Sequence, residues 1–169
     1  KGTRSHAIVE RGLQVLINLL HRGACGCEAN TGDGAGILIQ MPHRFLKLAA
    51  KEAGVALPGE KEYGLGMVYL PPDPAERRQC EKVFEQIIAE EGQALLGWRT
   101  VPTDNSKPGD TAKSSEPCVR QVFIGRSSKL ADDLAFERKL YVIRKRAENA
   151  IRYSGKFIGG HYFYVSSLS

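Results

Sequence analysis

Thr31-Gly32-Asp33-Gly34-Ala35-Gly36-Ile37-Leu38-Ile39-Gln40-Met41 decides which sheet architecture this chain can have. Glycine-rich segments that cradle a phosphate follow a strand and open a helix, because the helix N-terminus holds the anion. Here the order is inverted. A helix precedes the glycines, from about His6 to His21, with Ser5 as its N-cap and Val9, Leu13, Leu16 and Leu20 at helical spacing. Gly23 is placed to end it in the left-handed conformation. The apolar run Ile37–Met41 then reads as a buried strand closed by Pro42, and no Walker lysine follows the glycines. Nucleotide binding at this loop is therefore not expected. Small residues would let the backbone approach another strand or a ligand, with Asp33 as one fixed carboxylate; a tight structural turn is the alternative.

His21-Arg22-Gly23, at the end of that helix, has two readings as well. Basic residues at a helix C-terminus are favoured by the dipole. An arginine held between a helix end and a glycine-rich loop is also a ready clamp for a carboxylate or a backbone carbonyl.

Working outward, helical spacing returns from His43 to Ala53 through Phe45, Leu46, Ala49 and Ala53, with Gly54 as the stop. Tyr63 to Leu70 reads as a strand ended by Pro71-Pro72. Asp73-Pro74-Ala75-Glu76 is the clearest local signal: an N-cap acid, a proline at the first helical position and a glutamate at the third. Cys80, Val83, Phe84, Ile87 and Ile88 supply the buried face of that helix, which ends at Gly92. Strands follow at Leu95–Val101 and Cys118–Ile124, separated by a polar loop from Pro102 to Pro117 that is long enough to suggest a functional or flexible role. A last helix starts at Asp132 or Asp133, and a last strand spans His161–Leu168. This order predicts an α+β or mixed-sheet layered domain rather than a strict βαβ array.

The chain has 169 residues, 42% apolar and 25% charged, the balance of an ordinary globular domain. No apolar run approaches the eighteen or so residues that cross a bilayer. Twenty-four basic against nineteen acidic residues give a net charge of +5, and residues 138–152 alone carry six cations against Glu148. Without a broader patch or a reading motif, that run is expected to be a solvated or interdomain helix face rather than a nucleic-acid surface. Lys1 follows no initiator Met and no leader, so the chain is expected to start in mid-sequence or after processing. The strand ending at Ser169 gives the same expectation for the other end.

Cys80 and Cys118 fall where small core residues are expected, and Cys25-Gly-Cys27 lacks a second ligand pair for a closed zinc site, which takes about four ligands. None of His6, His21, His43 and His161 has metal-ligand spacing, and no metal site is expected. No residues form a self-sufficient catalytic set.

Several stretches nevertheless occur together in a known order. Asn18-Leu19-Leu20-His21-Arg22-Gly23-Ala24-Cys25-Gly26-Cys27-Glu28, Thr31–Leu38, Gly64–Pro71, Leu96-Gly97-Trp98-Arg99-Thr100-Val101-Pro102, Gln121–Ile124, Leu140–Lys145 and Phe163–Ser169 together resemble the glutamine amidotransferase type-2 domain of glutamate synthase large subunits. The resemblance covers nearly the whole chain. It implies the four-layer αββα fold of N-terminal-nucleophile hydrolases, here incomplete at both ends, with residues 1–169 as part of one amidotransferase domain. It also implies glutamine hydrolysis by an N-terminal cysteine whose free α-amine serves as base. The ammonia is channelled to 2-oxoglutarate on another domain and glutamate is made.

The family's nucleophile heads a "CG-GF" strand, which would lie before Lys1, and its "HRRFSTN" and "GHNGEIN" motifs would lie after Ser169. No catalytic residue is therefore expected in this chain, which is predicted inactive alone. Arg22, Gly23, Thr31, Gly32, Asp33 and Gly34 map onto the part of the pattern that lines the vicinity of the nucleophile. The resemblance implies no cofactor in this segment, with FMN and an iron–sulfur cluster on other domains. Its partners would be glutamine, the remaining synthase domains and a small electron-supplying subunit, with neither nucleic acid nor membrane among them. The location would be cytoplasmic, or a plastid for a plant source. The wording Ala24-Cys25-Gly26-Cys27 is similar to the pyridine-nucleotide type, with NADPH, NADH and ferredoxin open as donors. A non-catalytic scaffold of the same fold is the alternative.

Overall fold

The computed structural model describes residues 5–23, 28, 31 and 34–169. The chain divides into two compact units, Lys1–Arg44 with Asp104–Glu116, and Phe45–Thr103 with Pro117–Ser169.

The second unit is built on one antiparallel sheet. Strands β1 (Tyr63–Leu70), β2 (Ala94–Thr100), β3 (Cys118–Gly125) and β4 (Tyr164–Leu168) lie in the order β2-β3-β1-β4. β1 pairs with β3 along its whole length, from Tyr63 opposite Gly125 to Leu70 opposite Cys118. Alternation puts Gly64, Gly66, Val68 and Leu70 on one face, together with Val122 and Ile124 of β3. Helix α3 (Pro74–Glu90) and helix α5 (Asp133–Ala147) supply Cys80, Phe84, Ile87, Ile88, Phe136, Leu140 and Ile143 to the same core. The α+β class is thus as expected, and every described strand pair is antiparallel rather than mixed.

Local chemistry explains the helix starts. Asp73 accepts from the backbone N–H groups of Ala75 at 2.9 Å and Glu76 at 2.8 Å, with Pro74 pre-set for the first turn. Asp132 accepts from Ala135 N at 2.7 Å in the same way. Close packing explains a glycine: a Cβ on Gly64 would lie 2.6 Å from Leu140 Cδ1, so any side chain there would force buried Leu140 to shift. At the other end of the core, Phe84 meets Trp98 and Phe163 edge-on, with ring centroids 5.8 and 5.9 Å away. Trp98 Nε1 donates to Glu85 Oε1 at 2.8 Å, and the Arg120 guanidinium lies 5.4 Å over the Trp98 ring while pairing with buried Glu81.

Five of the six cations in the basic run make polar contacts within the chain. Lys139 pairs with Glu91 at 2.8 Å, and Arg146 with Glu91 at 2.7 Å and with Glu90, all across to α3. Arg144 and Lys145 share Glu148, at 3.1 and 2.9 Å. Arg152 spends its donors on the carbonyls of His161 and Phe163. Arg138, Lys145, Arg146 and Arg152 stay exposed, which agrees with a solvated face, and the pairs reach acids at the end of α3 that the sequence places about fifty residues away.

Helical spacing through Leu134, Leu140, Ile143, Ala147 and Ile151 predicts a long last helix, and α5 with the π-helical turn at Glu148–Arg152 spans it. Residues Ile158–Tyr162 form a 3₁₀ turn, so β4 starts at Tyr164 rather than His161. Between β2 and β3 the polar loop carries a short helix, α4 (Asp110–Ser114), that its prolines and glycines hid. Helix α2 spans His43–Glu52 and buries Leu46, Ala49 and Ala50.

In the first unit, helix α1 covers His6–Asn18 and yields to a 3₁₀ turn at Leu20–Arg22, where Leu19 N is shared between the carbonyls of Val15 and Leu16. Gly23 is extended (φ −73°, ψ 143°), not left-handed, so the glycine ends the helix without the expected cap. The apolar run Ile37–Met41 is not a strand. No described residue forms a strand ladder with it, and Leu38 is 99% exposed. Apolar content alone therefore misled: a strand needs a neighbour for its backbone groups as well as a core for its side chains.

Candidate functional site

Arg22 is exposed on the 3₁₀ turn, its backbone N–H closing that turn on Leu19 O at 2.8 Å. Gly23 N–H reaches Leu20 O at 3.1 Å. Gly34 has φ +79°, the left-handed region where glycine carries no side-chain penalty. Gly32 and Asp33 lie outside the described residues, as do Cys25 and Cys27.

Thr31 is the expected site residue that the structure ties to a distant segment. Its hydroxyl donates to Glu28 Oε2 at 3.1 Å and accepts from Gly109 N–H at 3.2 Å. Thr31 N–H closes the local turn on Glu28 O at 3.1 Å. The second carboxylate oxygen, Glu28 Oε1, accepts from Thr111 N–H at 3.0 Å. A four-residue polar cluster thus joins the beginning of the glycine-rich segment to the first turn of α4. The Thr111 backbone N–H, ahead of the other groups bonded to it, holds the Glu28 carboxyl below the ordinary carboxylate range against a smaller opposing effect of desolvation. Residues Asp104–Glu116 are further closed by Asn105 Nδ2 donating to Glu116 Oε2 at 2.8 Å and by Ser106 N–H on Asp104 Oδ1 at 3.0 Å.

Glu28, Gly109 and Thr111 were not singled out from the sequence. The available signal was the Pro108-Gly109-Asp110-Thr111 stretch, which reads as a helix start inside the loop suspected of a role. Nothing in the sequence named Glu28 as its partner.

Cys80 is a poor nucleophile. It is fully buried on the inner face of α3, and burial, helped by the charges of Glu76 and Glu81, pushes its thiol up to about 11. Cys118 is a half-buried free thiol at the start of β3. Among the described residues no group of three or more His, Cys, Asp or Glu side chains could hold a metal ion, so these residues do not fit an iron–sulfur cluster. A groove of about 410 Å³ between α3 and the end of α5 is lined by Val83, Ile87, Glu90, Arg146 and Asn149. Its one guanidinium is already committed to Glu90 and Glu91 and is not free to fix a ligand. No helix of the described residues is long and apolar enough to cross a membrane.

Comparison with known proteins adds the chemistry. The family model of class-II glutamine amidotransferases matches residues 1–169. The large chain of NADPH glutamate synthase from Bacillus subtilis is 48% identical over 169 residues, which is 100% of this chain and 11% of that protein. NADH glutamate synthase from Schizosaccharomyces pombe is 37% identical over 174 residues, covering 99% of this chain and 8% of its own length. Ferredoxin-dependent glutamate synthase 1 of Arabidopsis thaliana, chloroplastic/mitochondrial, is 35% identical over 147 residues, 87% of this chain and 9% of that protein. The chain spans roughly a tenth of the length of these curated relatives.

Proposed function

The chain belongs to the class-II glutamine amidotransferases, and on that premise we propose that it is part of the glutamine-hydrolysing domain of a glutamate synthase large chain. The observation that carries this reading is a family match over all 169 residues combined with 48% identity to a glutamate synthase large chain.

In this reading a cysteine outside these residues attacks the side-chain amide of glutamine. Its thiolate adds to the amide carbon, and the tetrahedral adduct expels ammonia to leave a thioester. Water then releases glutamate and restores the thiol. Cys80 does not take that role, being sealed and protonated near neutral pH. Arg22, Gly23, Thr31, Gly32, Asp33 and Gly34 line the neighbourhood of the nucleophile as supporting residues. Residues 1–169 form part of the domain rather than the whole of it. The ammonia meets 2-oxoglutarate on another domain, and the redox groups, FMN and an iron–sulfur cluster, are held there. Glutamine, those other domains and a small electron-supplying subunit are the partners, in the cytoplasm or, for a plant source, in a plastid.

The test is ammonia release from glutamine by the complete polypeptide, followed by glutamate formation when 2-oxoglutarate and a reduced donor are added. Residues 1–169 alone are expected to release none. A complete polypeptide that binds glutamine without hydrolysing it would instead favour a scaffold.

A further inference from the structure

Helix α4 has a glycine, Gly109, where helices ordinarily place a capping side chain, and no side chain of its own segment caps it. The cap comes from elsewhere in the sequence. Glu28 Oε1 takes the Thr111 N–H at 3.0 Å, and the Thr31 hydroxyl takes the Gly109 N–H at 3.2 Å while donating to Glu28 Oε2. The two halves require each other. A Cβ on Gly109 would land on the Glu28 carboxylate, so the glycine leaves the space that the carboxylate fills. The chemistry is also directional. Both carboxylate oxygens accept from donors; an amide in place of the carboxylate keeps one acceptor for Thr111 N–H, gives up the charge and makes the Thr31 hydroxyl reverse its bond.

We propose that Glu28 is a positioning residue for glutamine hydrolysis: by capping α4 through Thr31 and Thr111, it fixes the entry of the Thr31–Gly36 segment. This rests on the reading above, in which that segment lines the nucleophile. Because the entry is pinned to Gly109 and Thr111 at two points, releasing either lets the glycines that follow take up many backbone states, and a small displacement near reacting atoms is costly.

The complete polypeptide is compared as wild type, Glu28→Gln, Thr31→Val and Thr31→Ser, reading amide hydrogen exchange at Gly109 and Thr111 beside kcat and KM for glutamine. Glu28→Gln and Thr31→Val are expected to speed exchange at those amides by about tenfold or more. They are also expected to lower kcat/KM for glutamine by roughly tenfold or more. The β1 and β3 amides should stay as protected as in wild type. Thr31→Ser, which keeps the hydroxyl, restores both readouts. Unchanged exchange in Glu28→Gln and Thr31→Val overturns the cap, and faster exchange with unchanged kcat/KM overturns positioning. A wild type that hydrolyses no glutamine overturns the functional reading itself, and Glu28 is then a helix cap alone.

Discussion

The two units of this chain are held together by different physics. Every described residue that is buried belongs to the unit of the four-stranded sheet, where Phe84, Phe123, Phe163, Leu140 and Ile143 are fully enclosed. Among the described residues of the other unit no side chain is buried: Leu13 on α1 is 47% exposed and Leu20 on the 3₁₀ turn 74%. What orders that unit is polar, with Glu28 and Thr31 bonded to Gly109 and Thr111. Apolar burial is non-directional and tolerant of small shifts, whereas a carboxylate that takes two donors fixes a position. The sheet unit therefore supplies stability, and the glycine-rich unit supplies geometry.

Substitutions should separate the two roles. Phe84→Ala, emptying the space between Trp98 and Phe163, should cost about 4 kcal/mol in chemical denaturation. Gly64→Ala should cost about 2 kcal/mol, because its Cβ would press on buried Leu140 and force it to shift. A cost near zero would mean that Leu140 gives way freely.

Acidification is the next step down. Glu91 is held below the ordinary carboxylate range by the Lys139 hydrogen bond and then by Arg146, with desolvation opposing. A carboxyl depressed in the folded state stabilises above its unfolded value, about 4.3, and loses that contribution as pH falls through the lower folded value. Unfolding midpoints measured downward from neutral pH should fall below about pH 4, and Glu91→Gln should flatten that limb. Glu28 has the same sign, but its main partner is a neutral backbone N–H rather than a cation. Salt should therefore weaken the Glu91 contribution and leave the Glu28 cap in place, which exchange at Thr111 would report. The smallest effect is expected on α1, where Leu13→Ala should change stability by less than about 0.5 kcal/mol in residues 1–169.

The same contrast governs what the sequence could reveal. Helix α3 was readable because Asp73, Pro74 and Glu76 act within one turn, and β1 because Pro71 and Pro72 stop it locally. The run Ile37–Met41 has the apolar side chains of a strand, but pairing depends on a neighbour that a local pattern does not contain. Glu28 was invisible for a related reason, since its partner Thr111 lies 83 residues away and its bonds are to backbone. The Lys139 and Arg146 pairs with α3 were missed likewise. The family, by contrast, was legible from the order of its motifs, while Arg22 through Gly34 owe their assignment to that resemblance and not to any geometry of their own.

The central claim is that these residues support glutamine hydrolysis by a cysteine they do not contain. The most direct measurement is labelling of the complete polypeptide with a thiol-alkylating glutamine analogue, followed by peptide mapping with and without excess glutamine. The account predicts one glutamine-protected label, on a cysteine outside these 169 residues. A glutamine-protected label on Cys25, Cys27, Cys80 or Cys118 would contradict it.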